Sequence, residues 1–117
     1  MSPEDPSAVE LLPRAVRIRE VGPRDGFQNE PEVIPTDRKI ELIDALARTG
    51  VPRLEITSFV RADVIPQLSD AAQVLAGIDL PADVSGSVLL PNERGLDAAL
   101  AVLEGTSPRG SGRTTAR

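Results

Sequence analysis

The sequence contains no cysteine, histidine, tryptophan or tyrosine. Without cysteine there is no disulfide framework, thiolate nucleophile or cysteine metal site. Without histidine, the commonest general base and the commonest metal ligand are both missing. The only aromatic residues are Phe27 and Phe59, both in loop-like positions, which excludes an aromatic platform for stacking bases. Thirteen basic residues against eighteen acidic ones give a net charge of -5, so no polyanion-binding surface and no nucleic-acid partner are expected. No apolar run approaches the length of a membrane span, and no membrane partner is expected. The start, "MSPEDPSAVELLP", is acidic and interrupted by proline, with no basic residue before Arg14. It fits neither a secretory signal nor an arginine-rich transit peptide, so a soluble cytoplasmic protein is the expectation.

A chain of 117 residues suits one small domain or a piece of a larger one. Residues 1–13 read as a flexible leader. In "AVRIREV" (15–21), Val16, Ile18 and Val21 alternate with charged residues, as in a strand. Residues 22–36 read as loop, and Thr36 as the N-cap of a helix from Asp37 to about Arg48. That helix puts Ile40, Ile43, Leu46 and Ala47 on one face and stops at Gly50. "RLEITSF" (53–59) is a second strand. A helix opened by Ser69 or Asp70 and running to Gly77 follows a loop containing Pro66. "DVSGSVLL" (83–90) is a third strand, weakened by Gly86, and "PNERGLDAALAVL" a last helix with Leu96, Leu100 and Leu103 on one stripe.

The order βαβαβα, with strand starts roughly thirty to forty residues apart, implies neighbouring parallel strands joined by right-handed crossovers. Doubly wound and (β/α)₈ folds both begin this way. "GPRDGF" after the first strand is not G-x-G-x-x-G, and Pro23 removes an amide donor that a phosphate needs. Dinucleotide binding is therefore disfavoured. The tail "EGTSPRGSGRTTAR" (104–117) has no large apolar residue and no periodicity. It reads as disordered and not as a fourth strand.

Arg24 and Asp25 sit in a rigid loop bracketed by Gly22, Pro23 and Gly26, just past the first strand. In parallel α/β folds the carboxyl ends of the strands form the functional face. Glu55 alternates against Leu54 and Ile56 in the second strand. It therefore points away from its apolar neighbours, and Arg24 is the obvious partner for it. Such charges can be nothing more than a solvated loop and one buried structural ion pair. They can also form a site. Asp25 suits a hard divalent cation such as Mg²⁺ or Mn²⁺. The Arg24 guanidinium suits an enolate oxygen that develops as a carbon–carbon bond beside a carbonyl breaks. Glu55 would orient the arginine, and Gln28 could add supporting hydrogen bonds.

"EVGPRDGFQNE", "LEITSFV" and "LLPN" together closely resemble the hydroxymethylglutaryl-CoA lyases of the DRE-TIM metallolyases, over about residues 14–103. The related acyl-CoA condensing synthases usually carry an RDGEQ-type loop, whereas this chain has Phe27 before Gln28. Leucine is the more usual lyase residue at position 27. The resemblance implies the first three βα units of a (β/α)₈ TIM barrel and metal-dependent cleavage of an acyl-CoA, 3-hydroxy-3-methylglutaryl-CoA, to acetyl-CoA and acetoacetate. It implies Asp25 as a metal ligand for Mg²⁺ or Mn²⁺, Arg24 as the enolate-stabilising arginine and Glu55 as its partner. Gln28 and Ser58 fall at substrate-binding positions. Asn92 reads more naturally as a helix N-cap, and Arg61 as an exposed loop arginine in preference to a CoA-phosphate ligand.

The family's further metal ligands, an H-x-H pair and an asparagine on later strands, and its catalytic cysteine have no counterpart here. The chain thus reads as an N-terminal fragment, truncated or out of frame after Leu103, that is catalytically incomplete. Two alternatives stand beside the lyase reading: a non-enzymatic module docking through an open sheet edge, and a condensing synthase of the same family. Three barrel strands would leave the sheet's inner face uncovered and the third strand's edge unpaired, so self-association is expected.

Overall fold

Residues 53–58 alternate apolar Leu54 and Ile56 with Glu55 and Thr57, and they form β2 (Arg53–Ser58), a strand paired on both of its edges. The computed structural model describes residues 10–105 and 113–116. The expected leader lies outside the described residues up to residue 9, as does the tail over 106–112 and at 117. In chain order the elements are β1 (Arg19–Glu20), a π-helical turn (Gly22–Gly26), α1 (Thr36–Leu46) and β2. A 3₁₀ turn (Pro66–Leu68), α2 (Ala71–Gly77), β3 (Ser85–Leu89), α3 (Glu93–Gly105) and β4 (Arg113–Ala116) follow. The sheet order is β1-β2-β3-β4 with every pair parallel. Three parallel strands in sequential order, alternating with helices in an unclosed sheet, match the expectation for the opening βα units of a (β/α)₈ barrel.

The core lies between the helices and one face of the sheet. Leu54, Ile56, Val84 and Val88 from the strands meet Ile43 and Ala47 of α1, Ala71, Val74 and Leu75 of α2, and Ala99 of α3. The α1 face matches the expected periodicity, with Ile40 and Leu46 flanking the core. Gly50 closes the turn after α1 at φ +97°, a left-handed conformation that a Cβ would strain.

Several expectations are corrected. β1 is two residues long, and Val16 and Ile18 are exposed. β2 starts opposite Arg19, in the register Arg19↔Arg53, so the residues before it have no strand to pair with. The segment read as loop after Val21 opens as a helical turn: the Arg24 and Asp25 amides both donate to the Val21 carbonyl, at 3.1 and 2.8 Å. Arg113–Ala116 pairs with β3 as a fourth strand, against the reading of the tail. A strand edge offers a row of unpaired amides and carbonyls to any extended backbone, whatever its side chains. Glu55, Thr57 and Ser87, on the sheet face expected to be uncovered, are buried, and the Gly22–Gly26 turn packs against β2.

Candidate functional site

Gly22–Pro23–Arg24–Asp25–Gly26 turns tightly because the amide after it, at Phe27, donates to both the Gly22 and the Arg24 carbonyls. The Gly22 amide is held in turn by the Glu20 carboxylate at 3.0 Å. The turn stands at the carboxyl end of β1 and beside β2, and it projects Arg24 across to Glu55. Arg24 Nε donates to Glu55 Oε1 at 3.0 Å, while Arg24 Nη1 lies 3.8 Å from Asp25 Oδ1. The three side chains are exposed by 21%, 5% and 54% for Arg24, Glu55 and Asp25 respectively. The arrangement is graded: a buried carboxylate anchors a half-buried guanidinium, and a second carboxylate faces outward.

A local irregularity follows Glu55 in the sheet. The β2–β3 register runs Glu55↔Ser87 and then Thr57↔Val88, so Ile56 is an extra residue in β2. Bulges of this kind re-aim the side chains around them. Ser58, the last residue of β2, is buried, and Gln28 is half-buried just past the turn. The structure thus brings Arg24, Asp25 and Glu55 together, with Gln28 and Ser58 on the same end of the fold.

Asn92 and Arg61 take the ordinary roles that their sequence context favours. Asn92 Oδ1 accepts the Gly95 amide at 2.8 Å, capping α3. Arg61 is exposed and engaged by Asp63, Nε to Oδ1 at 3.0 Å. Two depressions lie elsewhere. One of about 520 Å³, lined by Arg17, Arg53 and Ser85, opens at the amino ends of the strands. Another of about 240 Å³, with Phe59, Ser69 and Arg94 in its wall, opens between α2 and α3. The charged trio stands at the carboxyl ends of the strands, the end that carries the functional loops in this architecture, and the larger cavity at the opposite end.

A second buried charge pair escaped the reading of the sequence. Lys39 on α1 is 1% exposed, and its Nζ lies 2.6 Å from Asp70 Oδ1 and donates to the Gln67 carbonyl. Asp70 Oδ2 accepts from Thr36 Oγ1 at 2.5 Å. The available signal was positional: Lys39 stands four residues before Ile43, within the buried stripe of α1.

Within the trio Glu55 is held by Arg24 at 3.0 Å, and Asp25 is the more exposed carboxylate, 3.8 Å from the same guanidinium. Among the described residues no group of three acidic, histidine or cysteine side chains is placed to hold a metal ion. The donor set therefore does not fit a complete metal site. Among the described residues no helix is long and apolar enough to cross a membrane.

No protein-family model matches the chain. Over 95 residues it is 50% identical to the cytoplasmic 3-hydroxy-3-methylglutaryl-CoA lyase of Danio rerio, covering 81% of this chain and 28% of that protein. The curated relatives include proteins named cytoplasmic and proteins named mitochondrial. The HMG-CoA lyase crystal structure from Bacillus subtilis superposes with a TM-score of 0.74 at 52% identity, covering 77% of this chain and 30% of that one. The lyase from Acinetobacter baumannii, solved with coenzyme A and 3-methylmalate, gives a TM-score of 0.72 at 41% identity, over 74% and 28% of the two chains. The chain thus spans about three tenths of the length of the relatives it matches. By identity and by fold it belongs to the hydroxymethylglutaryl-CoA lyase family, of whose barrel it carries three βα units.

Proposed function

We propose that this segment supplies Arg24, Asp25 and Glu55 to the cleavage of 3-hydroxy-3-methylglutaryl-CoA into acetyl-CoA and acetoacetate, as part of a site that the 117 residues do not complete. The observation that carries this reading is the Arg24–Glu55 bond at 3.0 Å beside Asp25. Arg24 commits its Nε to Glu55, which fixes the plane of the guanidinium. Its Nη groups are the remaining donors of the fork, suited to an oxygen that gains negative charge. In the cleavage, the substrate hydroxyl loses its proton and the electron pair of the adjacent carbon–carbon bond passes to the acetyl-CoA fragment. The thioester oxygen of that fragment becomes the enolate oxygen that Arg24 would stabilise. The coenzyme A bound by the Acinetobacter relative supports an acyl-CoA as the substrate class. Gln28 and Ser58 are proposed to line its binding site, and the cytoplasm is the proposed location, as in the name of the Danio relative.

A divalent cation, Mg²⁺ or Mn²⁺, would act as a Lewis acid in such a reaction. Asp25 is the ligand this chain would offer, one carboxylate toward an ion that takes about six. With neither histidine nor cysteine in the sequence, the groups best suited to move the hydroxyl proton and to protonate the enolate are absent as well. The chain alone is therefore expected to bind Mn²⁺ weakly and to release no acetoacetate. Titration with Mn²⁺ followed by an acetoacetate assay on the purified chain tests this. Micromolar affinity lost in Asp25→Ala, accompanied by turnover, would show that three units make a site by themselves. The residue assignments are tested by co-expressing the chain with the remaining barrel segments of the Bacillus lyase. Turnover should appear and fall by about 10²–10³ in Arg24→Gln, and turnover indifferent to Arg24 would sink the reading.

A further inference from the structure

The Lys39 cluster lies directly behind the turn that carries Arg24 and Asp25. Lys39 Nζ is 5.9 Å from the centroid of the Phe27 ring, within the range of a cation–π contact. Phe27 is buried, and its amide donates to the carbonyls of Gly22 and Arg24. The ring and the backbone of Arg24 therefore belong to one hydrogen-bonded unit. Gln67, whose carbonyl accepts from Lys39, sends its own amide nitrogen to the Glu30 carbonyl at 2.9 Å. Lys39 thus reaches the same short segment twice, through the Phe27 ring and through Gln67. The ammonium cannot drift, because Asp70 holds it at 2.6 Å and Thr36 holds Asp70.

We infer that Lys39 is a positioning residue which, through the face of the Phe27 ring, fixes the Arg24–Asp25 turn against Glu55. This rests on the reading of Arg24 and Asp25 as site residues. A merely structural pair would tie α1 to α2 and be indifferent to the ring's chemistry. A positioning pair needs the ring, because the ring is where the ammonium meets the residue whose amide closes the turn. Leucine at position 27 would fill much of the same space but has no π face to receive the cation.

The test is hydrogen exchange at the Arg24 Nε–H, read by NMR on the 117-residue chain and compared with the backbone amides of Ile43 and Val88 as reporters of global opening. Phe27→Leu is expected to speed exchange at Arg24 about three- to tenfold while leaving the two core amides unchanged. Lys39→Met is expected to speed it by about tenfold or more beyond any change in those amides. Exchange at Arg24 that is unaltered in Phe27→Leu, or that moves only in step with Ile43 and Val88 in Lys39→Met, overturns the inference. If Lys39→Met does not fold, Phe27→Leu decides alone. The readout needs neither metal nor turnover, so its failure is separate from a failure of the lyase assignment, which the co-expression assay reads.

Discussion

Arg24 and Arg38 each meet a glutamate, at 3.0 and 3.5 Å, but in different surroundings. Arg38 and Glu41 lie one turn apart on the solvent side of α1, both largely exposed. Water and salt screen that pair, and Arg38→Ala should change stability by less than about 0.5 kcal/mol. Glu55 is buried and cannot leave Arg24 unpaired without cost. Glu55→Ala is therefore expected to destabilise the chain by about 1–3 kcal/mol, the smaller end reflecting Arg24's partial access to water. Urea unfolding of both variants measures the difference, and equal effects would mean that the Arg24–Glu55 pair is as solvated as the surface one. At this scale the trio was legible because strand alternation fixes which way Glu55 points. Lys39 was not, since a lysine in sequence carries no sign that Asp70 and the Gln67 carbonyl await it inside.

The helices show where periodicity suffices and where it fails. In α1 the apolar stripe and the buried face coincide. In α3 they do not: Leu96 and Leu100 are exposed, while Gly95 and Ala99 are buried and Val102 and Leu103 flank the core. Small residues let α3 come close to the end of β2, and a hydrophobicity pattern built on leucine passes over them. The sequence favours Thr36 as the cap of α1 and Ser69 or Asp70 as the opening of α2; Pro35 occupies the first cap and Asp70 the second, but neither the Thr36 nor the Asp70 side chain caps its own helix. They bond each other instead, a long-range choice that local sequence does not encode. The closeness of α3 carries a prediction. A Cβ on Gly95 would stand 2.7 Å from the Phe59 carbonyl oxygen, a backbone atom that cannot swing aside. Alanine is the better helix former by about 1 kcal/mol, but the clash should outweigh that, giving Gly95→Ala a net loss of roughly 1–2 kcal/mol. A thermal melt of Gly95→Ala that matches or exceeds the parent would mean that α3 has room to move outward.

For the whole molecule, what matters is which surfaces three barrel units leave to solvent. The sheet's β3 edge, expected to be open, is paired by Arg113–Ala116, and no periodicity in "RTTA" announces that role. β2 is buried on both faces. Unsatisfied apolar surface sits instead at the flanks: Val16 and Ile18 ahead of β1, Leu42 on α1, and Leu96 with Leu100 one turn apart on α3. In a closed barrel each βα unit packs against a neighbour on both sides, and here the outer sides of the first and third units face water. A second copy of the chain can cover them, so concentration-dependent association is expected. The α3 pair is the best single handle, because two leucines four residues apart on one helix share a face. Sedimentation velocity over a concentration series should show the parent chain forming dimers or larger species. Leu96→Glu with Leu100→Glu should shift it toward monomer without disturbing the fold, since neither side chain belongs to the core. Deleting residues 106–117 should act in the opposite direction by exposing the β3 edge to a neighbouring strand. A parent chain that stays monomeric and melts cooperatively at high concentration would mean that these flanks are tolerated by water, and that three units of this barrel make a self-sufficient domain.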